Sequence, residues 1–308
     1  MLKLTWKHLG LVLVLAVSLV LAACGDAGDD GDDAADGDEG AANGADLGET
    51  DIELVYVEWD TEIASTNVIA HVLESQGYNV EVTPLDNAVM WQSVATGDAD
   101  GMVAAWLPNT HGELYEQYQD QLVSLGHNLE GARIGLVLPE YMEDVNSIED
   151  LVDATDEFDG TITGIEPGAG VVQSAENAVE DYGLDGWSVE TSSSGAMATA
   201  LGEAYGNEEP IVVTGWSPHW KFAEYDLKYL EDPEGSFGDA ETIDTMVREG
   251  FEQDSPVAYQ ILDQFYWEPA DLEAVMADVY AGTSPEDAAA AWVEDNQDKV
   301  DEWLAGIE

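Results

Sequence analysis

Two short tryptophan-proline turns constrain the fold of this chain more than any other feature of its sequence. Each comes directly after a β-forming run, and their tryptophans, Trp106 and Trp216, lie 110 residues apart. A second, weaker correspondence is seen between a β-forming run that ends at Trp59 and another that ends near Pro167, 108 residues later. Such an internal repeat predicts two α/β halves. Because ligands of open α/β sheets bind outside the carboxyl ends of the strands, the repeat predicts a cleft with tryptophans on both walls.

From residue 51 onward, β-forming runs alternate with helical patterns. Six runs predict strands, and these are Ile52–Val57, Asn79–Thr83, Gly101–Ala105, Arg133–Leu138, Thr161–Ile165 and Ile211–Thr214. Apolar residues between Val171 and Tyr182 recur with the period of a helix face. About the last sixty residues are helical, with an apolar stripe from Leu272 to Tyr280 and a cap at Ser284. This alternation predicts an α/β fold with parallel strands and crossover helices.

The net charge of the chain limits the partners that it can bind and indicates the medium to which it is adapted. Asp and Glu number 66 against seven Lys and Arg, which gives a formal net charge of −59. Repulsion between like charges excludes nucleic acid and an anionic membrane surface as binding partners. Uncompensated carboxylates also push a compact fold apart unless salt screens them, and molar salt shortens the screening length to roughly 3 Å. We therefore expect a protein adapted to brine; an alkaline habitat is the second interpretation.

The first fifty residues are predicted to precede the folded body. Residues 1–23 join a basic start to an apolar stretch and are expected to be a lipoprotein signal peptide. Its Leu-Ala-Ala-Cys end reaches Cys24, the only cysteine of the chain, so a disulfide is excluded and we expect a lipid on Cys24. A chance cysteine at the end of the leader is the alternative. Residues 24–50, which begin with this cysteine, are nearly all Asp, Gly, Ala and Glu and predict a disordered acidic linker. Lipid and linker would hold the protein at the outer face of the cell membrane.

Trp59, Trp106 and Trp216 each follow a β-forming run, where a side chain emerges at the mouth of a loop. An indole face is the strongest cation–π partner among side chains, and a trimethylammonium group offers no hydrogen-bond donor, so an aromatic box can recognise it. The three tryptophans therefore predict a site for a quaternary-ammonium ligand. The alternative for each is a place in the core. We predict a core position for five others, Trp91, Trp187, Trp267, Trp292 and Trp303.

A glycine turn and a histidine are candidates for binding a carboxylate. The turn Pro167-Gly-Ala-Gly-Val171 lies between a strand and a helix, whose first amides point outward at the positive end of the helix dipole. It lacks the lysine and the spacing of a phosphate loop. His111 closes the first tryptophan-proline loop and can donate a hydrogen bond whether neutral or charged. A plain tight turn and a helix-capping histidine are the alternatives, and His219 ranks below His111.

Together these segments resemble the glycine betaine-binding lipoproteins that feed ATP-driven osmoprotectant importers. The resemblance covers nearly all of residues 53–308. It is carried by Tyr56-Val-Glu-Trp-Asp60 with Ile63-Ala-Ser-Thr-Asn67, Gly97-Asp-Ala-Asp-Gly101, Ala105-Trp-Leu-Pro-Asn-Thr-His111, Gly164-Ile-Glu-Pro-Gly-Ala-Gly170 and Val213-Thr-Gly-Trp-Ser-Pro-His-Trp220. It implies that Trp59, Trp106 and Trp216 form a prism around the quaternary ammonium. It also implies that His111 and the amides of Gly170 and Val171 hold the carboxylate.

The resemblance further implies a two-lobed fold of the periplasmic-binding-protein type (type II), with the ligand cleft between the lobes. Some members of the family carry the two halves in the opposite chain order. We expect lobe I to comprise residues 51–137 and 246–308, and lobe II to comprise residues 138–245. The crossings are expected near Leu136–Pro139 and Thr242–Arg248, and the lobes should close on the ligand. The expected ligand is glycine betaine or a related zwitterion such as proline betaine, delivered by a monomer to an ABC permease.

No catalytic motif accompanies these segments. The sequence contains neither GxSxG nor HExxH, and His111-Gly-Glu113 is too short for a metal site, so we expect no enzyme activity, cofactor or metal. A carbohydrate-binding lipoprotein is the remaining alternative, because tryptophan faces also stack on sugars. A sugar site would be expected to add Asp, Asn and Arg around the ring, whereas the glycine turn and the histidine suit a carboxylate better.

Overall fold

A computed structural model describes residues 46–307 of the chain. The predicted signal peptide, the predicted lipid site at Cys24 and most of the predicted acidic linker lie outside the described residues. Among the helices that the structure describes, none combines the length and the apolar character needed to cross a bilayer.

Nine strands, eleven α-helices and two short 3-10 helices make up residues 46–307. The strands are β1 (Asp51–Tyr56), β2 (Asn79–Pro84), β3 (Gly101–Leu107), β4 (Leu122–Pro139), β5 (Thr161–Thr163), β6 (Ser188–Glu190), β7 (Val213–Ser217), β8 (Leu227–Tyr229) and β9 (Glu241–Arg248). The helices are α1 (Asp60–Ser75), α2 (Asn87–Thr96), α3 (Gly112–Tyr118), α4 (Gly170–Asp181), α5 (Ser194–Asn207), α6 (Lys221–Glu224), α7 (Phe251–Asp254), α8 (Pro256–Gln264), α9 (Pro269–Tyr280), α10 (Pro285–Asp295) and α11 (Gln297–Trp303). The six predicted strands correspond to β1 to β5 and β7, and the part after β9 is helical as predicted.

The strands form two similar halves of one sheet. In the first half β1 pairs in parallel with β2 and β3, and β9 lies antiparallel to β3. In the second half β5 pairs in parallel with β6 and β7, and β4 lies antiparallel to β7. The order β2-β1-β3 therefore recurs as β6-β5-β7. This recurrence confirms the internal repeat, and the fold is α/β with two lobes, as the sequence predicts.

Strand β4 runs through both halves of the sheet. Its first part pairs with β9 as far as Ala132, and its second part pairs with β7 from Arg133 onward. Three register shifts interrupt the pairing with β9. The sequence indicates a strand only from Arg133 because the stretch before it carries the glycines and polar residues typical of turns, and bulges accommodate them within a strand. The predicted lobe boundary after residue 137 lies a few residues beyond this change of partner and stays a prediction.

Two helix starts that matter for the argument follow from local sequence. The hydroxyl of Ser284 accepts a hydrogen bond from the amide of Asp287 at 3.1 Å, and Pro285 occupies the first position of α10. Helix α4 begins at Gly170 and buries the apolar stripe that the periodicity predicts, namely Val171, Val172, Ala175 and Ala178. The glycine turn therefore ends where α4 begins, which fixes the direction of the first amides of this helix.

The five tryptophans predicted to be structural are all buried, namely Trp91, Trp187, Trp267, Trp292 and Trp303. Trp292 and Trp303 stack on one another with ring centroids 5.8 Å apart, and Trp267 packs edge-on against Trp292. Helices α9 and α10 pack against α1, so the C-terminal helices cover the first half of the sheet. The core prediction for these tryptophans is confirmed.

Candidate ligand-binding site

Four of the six predicted site residues, the three tryptophans and Val171, line one small cavity. His111 and Gly170 lie beside it, in contact with Trp59 and Thr110. Trp59 immediately precedes α1, Trp106 lies near the end of β3, and Trp216 lies near the end of β7. The ring centroids of Trp59 and Trp216 are 6.5 Å apart, and their planes are inclined by 49°. The residues that line the cavity are Trp59, Trp106, Thr110, Ile134, Ile165, Val171 and Trp216. Except for Thr110, all of these side chains are aromatic or aliphatic.

Two of the three indoles donate their N–H groups to carboxylates. Nε1 of Trp106 donates to Oε1 of Glu62 at 2.6 Å, and Nε1 of Trp59 donates to Oε1 of Glu166. Glu62 lies in the first turn of α1 and is buried. Burial raises the pKa of Glu62 to about 7, although hydrogen bonds from Thr61 and Trp106 favour its ionised form. Both bonds orient the rings, and an ionised carboxylate at the indole N–H polarises the ring in the sense that favours a cation at its face.

Trp216 has a cation as its neighbour instead. Its indole N–H has no hydrogen-bond partner within residues 46–307. Nζ of Lys221 lies 4.0 Å from the centroid of the Trp216 ring, which is a cation–π contact. Lys221 is the first residue of α6 and is fully buried, and its Nζ has no acceptor among the same residues. Burial lowers the pKa of Lys221 to about 7, and the charge of Asp60 partly opposes this shift.

His111 is held next to Trp59 as a neutral imidazole. Its Nδ1 accepts a hydrogen bond from the amide of Trp106 at 3.0 Å, which leaves the proton on Nε2. Nε2 is buried and has no partner in the described part of the chain. Burial lowers the pKa of His111 to about 3, so the ring stays neutral at ordinary pH. The imidazole stacks on Trp59 with centroids 5.7 Å apart and makes no capping bond at the start of α3, so the helix-cap alternative is wrong.

The glycine turn and the loop of His111 approach one another closely. A Cβ atom on Gly170 would lie 2.1 Å from the carbonyl oxygen of Thr110, so this position requires glycine. Gly168 has a φ of +89°, a second requirement for glycine in the same turn. The amides of Gly170 and Val171 are the first two of α4, and neither donates to another residue within 46–307. They therefore form a small site with two free donors at the positive end of a helix dipole.

Glu241, the first residue of β9, holds the loop that carries His111 in place. Oε1 of Glu241 accepts the amides of Asn109 at 2.8 Å and Thr110 at 2.7 Å, and Oε2 accepts the hydroxyl of Thr110 at 2.6 Å. Burial raises the pKa of Glu241, although these three bonds favour the carboxylate. The bonds hold Thr110, which lines the cavity, and its neighbour His111 in place.

Asp60 connects the two halves of the molecule. Its Oδ1 accepts the indole N–H of Trp220 at 2.8 Å, and its Oδ2 accepts the hydroxyl of Ser194 at 3.2 Å and lies 3.4 Å from Nε2 of His219. Burial opposes the charge, but His219, Trp220 and Lys221 outweigh it and hold the pKa of Asp60 well below its usual range. His219 packs edge-on against Trp216 and, like His111, is not among the residues that line the cavity.

Four residues around the cavity were not predicted, namely Asp60, Glu62, Glu166 and Lys221. The three acids stand within three residues of a predicted site residue or turn, but 66 acidic residues leave nothing to distinguish them. Lys221 offered a better signal, because it is one of only seven basic residues and directly follows the second tryptophan-proline turn and Trp220. Within residues 46–307, no cluster of three His, Cys, Asp or Glu side chains is arranged to hold a metal ion.

Comparisons with known proteins place this geometry in context. Residues 50–295 match the family model described as OpuAC, the substrate-binding domain of ABC-type glycine betaine transport systems. Over 158 residues, which are 51% of this chain and 53% of the other protein, the sequence is 47% identical to the glycine betaine/carnitine transport binding protein GbuC of Listeria monocytogenes. The aligned region thus spans about half the length of that relative.

Two solved structures have the same architecture. The lactococcal OpuAC in its closed-liganded conformation, complexed with glycine betaine, is 51% identical, with a TM-score of 0.79 over 83% of this chain and 99% of that chain. An ABC-transporter choline binding protein in complex with choline is 28% identical, with a TM-score of 0.79 over 84% of this chain and 92% of that chain. These two relatives bind onium ligands that differ in net charge.

Proposed function

Because the chain belongs to the family of substrate-binding domains of ABC-type glycine betaine transport systems, we propose that it captures glycine betaine or a related quaternary-ammonium zwitterion in the tryptophan-lined cavity. It is a substrate-binding protein and not an enzyme. One observation carries the proposal: indoles from both halves, Trp59 and Trp106 from one and Trp216 from the other, line a single cavity. Each indole face would contribute about 0.5 to 2 kcal/mol to binding a trimethylammonium group.

The carboxylate of the ligand would be held by neutral donors. Nε2 of His111 and the amides of Gly170 and Val171 lie at or beside the cavity, and none has a partner within residues 46–307. No Lys or Arg lines the cavity. In a closed site of low dielectric, such donors suffice for the carboxylate of a zwitterion. A ligand with net charge zero is also not repelled by the acidic surface of the protein.

Closure of the two lobes is the proposed mechanism of capture. Lobe I would comprise residues 51–137 and 246–308 and lobe II residues 138–245, with β4 and β9 as the crossing strands. Asp60 and Asn87 of the first half bond to Ser194, Trp220 and Gly168 of the second, which supports a closed state in which the cavity is shielded from water. Release to the permease would require these bonds to open.

The place of action follows from the transport role. A substrate-binding protein of an ABC importer works on the extracytoplasmic side, and we propose that a lipid on Cys24 and the acidic segment 24–50 tether this one, as a monomer, to the outer face of the membrane near its permease. The net charge of −59 fits a saline medium, where the accumulation of zwitterionic solutes protects against osmotic stress.

Isothermal titration calorimetry of the whole chain at molar salt tests the proposal. Glycine betaine and proline betaine should bind, a neutral disaccharide should not, and none of the three should be turned over. Binding of the disaccharide without binding of either betaine would favour the carbohydrate alternative and contradict the proposal. That alternative has little support in the cavity lining, which contains no Asp, Asn or Arg side chain.

A further inference from the structure

Lys221 is the most unusual charged group of the described chain. An ammonium group has three donors, yet Nζ of Lys221 has no acceptor within residues 46–307 and no exposure to solvent. Its closest favourable contact is the ring of Trp216 at 4.0 Å; the ring of Phe222 lies at 5.8 Å. Trp216 lines the cavity and Lys221 does not, so the indole separates the lysine from the cavity. The fold thus holds the ammonium group of Lys221 behind Trp216, in the wall of a site that is proposed to bind a cationic group.

Two ionisable groups face Lys221. Asp60, at the start of α1, favours the ammonium form, and His219, in the loop between β7 and α6, stays neutral because burial, followed by the charge of Lys221, lowers its pKa to about 4. Asp60 is already engaged by Trp220 and Ser194. Burial therefore prevails and lowers the pKa of Lys221 to about 7, so that both its charged and its neutral form are populated near neutral pH.

The charged form of Lys221 acts on ligands through the indole. A ligand cation on the opposite face would lie within about 6 Å of the ring centroid, hence at most about 10 Å from Nζ. At an effective dielectric constant of about 20, repulsion over that distance weakens binding on the order of tenfold. A ligand whose only charge is the onium group suffers this loss in full. In a zwitterion, attraction between the ammonium of Lys221 and the ligand carboxylate offsets it.

We propose that Lys221 is a specificity-determining residue whose ammonium group, held behind Trp216, disfavours net-cationic onium ligands such as choline relative to zwitterions such as glycine betaine. The inference rests on the proposed function and extends it to the net charge of the ligand. The preference for glycine betaine over choline should be strongest when Lys221 is protonated. It should decrease as the pH rises and the amine becomes neutral. Glu62, behind Trp106, works in the opposite direction, because its ionised form attracts cations and repels the ligand carboxylate.

The test compares choline with glycine betaine in Lys221→Met, an apolar replacement of similar length and shape. Dissociation constants of both ligands are measured by calorimetry at fixed salt, at about pH 6 and about pH 9, on either side of the lysine pKa. The ratio of the choline constant to the betaine constant should fall at least about tenfold in the wild type between these pH values, because Glu62 ionises in the same range. At the lower pH, the ratio in Lys221→Met should be about tenfold below that of the wild type.

Two further variants keep the result interpretable. Lys228→Met is the matched control, because Lys228 is bonded to the carbonyl of Met142 and to Asn146, away from the cavity, and it should behave as the wild type. Glu62→Gln removes the other titrating group near the site. If Lys221→Met fails to fold, as judged by circular dichroism, Glu62→Gln decides: its choline-to-betaine ratio must still fall as the pH rises.

The outcomes separate this inference from the function on which it rests. No betaine binding by the wild type would overturn the proposed function. Normal betaine binding, with a choline-to-betaine ratio that is the same in Lys221→Met and the wild type at the lower pH, would overturn the role of Lys221 alone. So would a pH-independent ratio in Glu62→Gln.

Discussion

Both walls of the cavity consist of tryptophan side chains, but the groups in contact with those tryptophans carry opposite charges. On the first wall, the indoles of Trp59 and Trp106 donate to the carboxylates of Glu166 and Glu62. On the second, the ring of Trp216 rests against the ammonium of Lys221, and its N–H has no partner among the described residues. An indole polarised by an anion is a better cation acceptor than one polarised by a cation. The three rings should therefore not contribute equally to binding. As the pH rises, Glu62 gains a negative charge and Lys221 loses a positive one.

The largest expected effect is on stability. Because the pKa of Lys221 is lowered to about 7 in the folded state from an ordinary 10.5, the unfolded chain binds more protons between these values, and stability rises with pH across that window. Between about pH 7 and about pH 9.5 the gain should be about 3 kcal/mol in the wild type. Urea unfolding at fixed salt should find this gain missing in Lys221→Met and present in Lys228→Met. An equal pH dependence in all three proteins would show that Lys221 ionises normally.

Glu62 gives the converse stability profile. Its pKa is raised to about 7 from an ordinary 4.5, so its contribution is complete below the lower value and is lost as the pH rises through the higher one. In the same unfolding experiment, the loss of stability between about pH 4.5 and pH 7 can therefore be assigned to Glu62 and the gain above about pH 7 to Lys221.

The next effect concerns the tryptophans themselves. Trp106→Ala should weaken glycine betaine binding by about 2 kcal/mol, and Trp216→Ala by about 1 kcal/mol, because the first ring is backed by a carboxylate and the second by an ammonium group. Calorimetry near pH 7, where Glu62 and Lys221 are both partly charged, measures the difference. Trp187→Ala, a buried tryptophan outside the cavity, is the matched control and should lower stability without a comparable loss of affinity. Equal losses for the two cavity variants would contradict the asymmetry between the walls.

The smallest effect is expected at Glu62. Ionisation of this carboxylate near a bound cation should raise betaine affinity about threefold between pH 6 and pH 8, since the ligand carboxylate offsets part of the attraction. Glu62→Gln should remove this rise, whereas Glu74→Gln, an exposed position of the same helix, should retain it. Retention of the full rise by Glu62→Gln would assign the pH dependence of affinity to the second wall alone.

The sequence predicts the framework of this site better than its electrostatics. The positions of Trp59, Trp106 and Trp216 at or just beyond the ends of strands follow from local patterns, because β-forming runs and proline turns are visible in consecutive residues. The requirement for glycine at position 170 has another origin, the carbonyl of Thr110 from the other half, which no local pattern reveals. The groups behind the indoles are equally non-local. Lys221 and Glu62 acquire their shifted pKa values from burial, which depends on the packing of the whole fold.

The position of β9 in the sheet has a consequence for how the chain is made. This strand lies between β3 and β4, yet it is synthesised about a hundred residues after β4, so the first half of the sheet lacks its central neighbour until late in translation. Until β9 is made, one edge of β3 and the first part of β4 lack a pairing partner, so the nascent chain cannot complete its native packing. A polypeptide that is threaded unfolded through a translocon benefits from such a delay, and in this topology the delay follows from strand order alone.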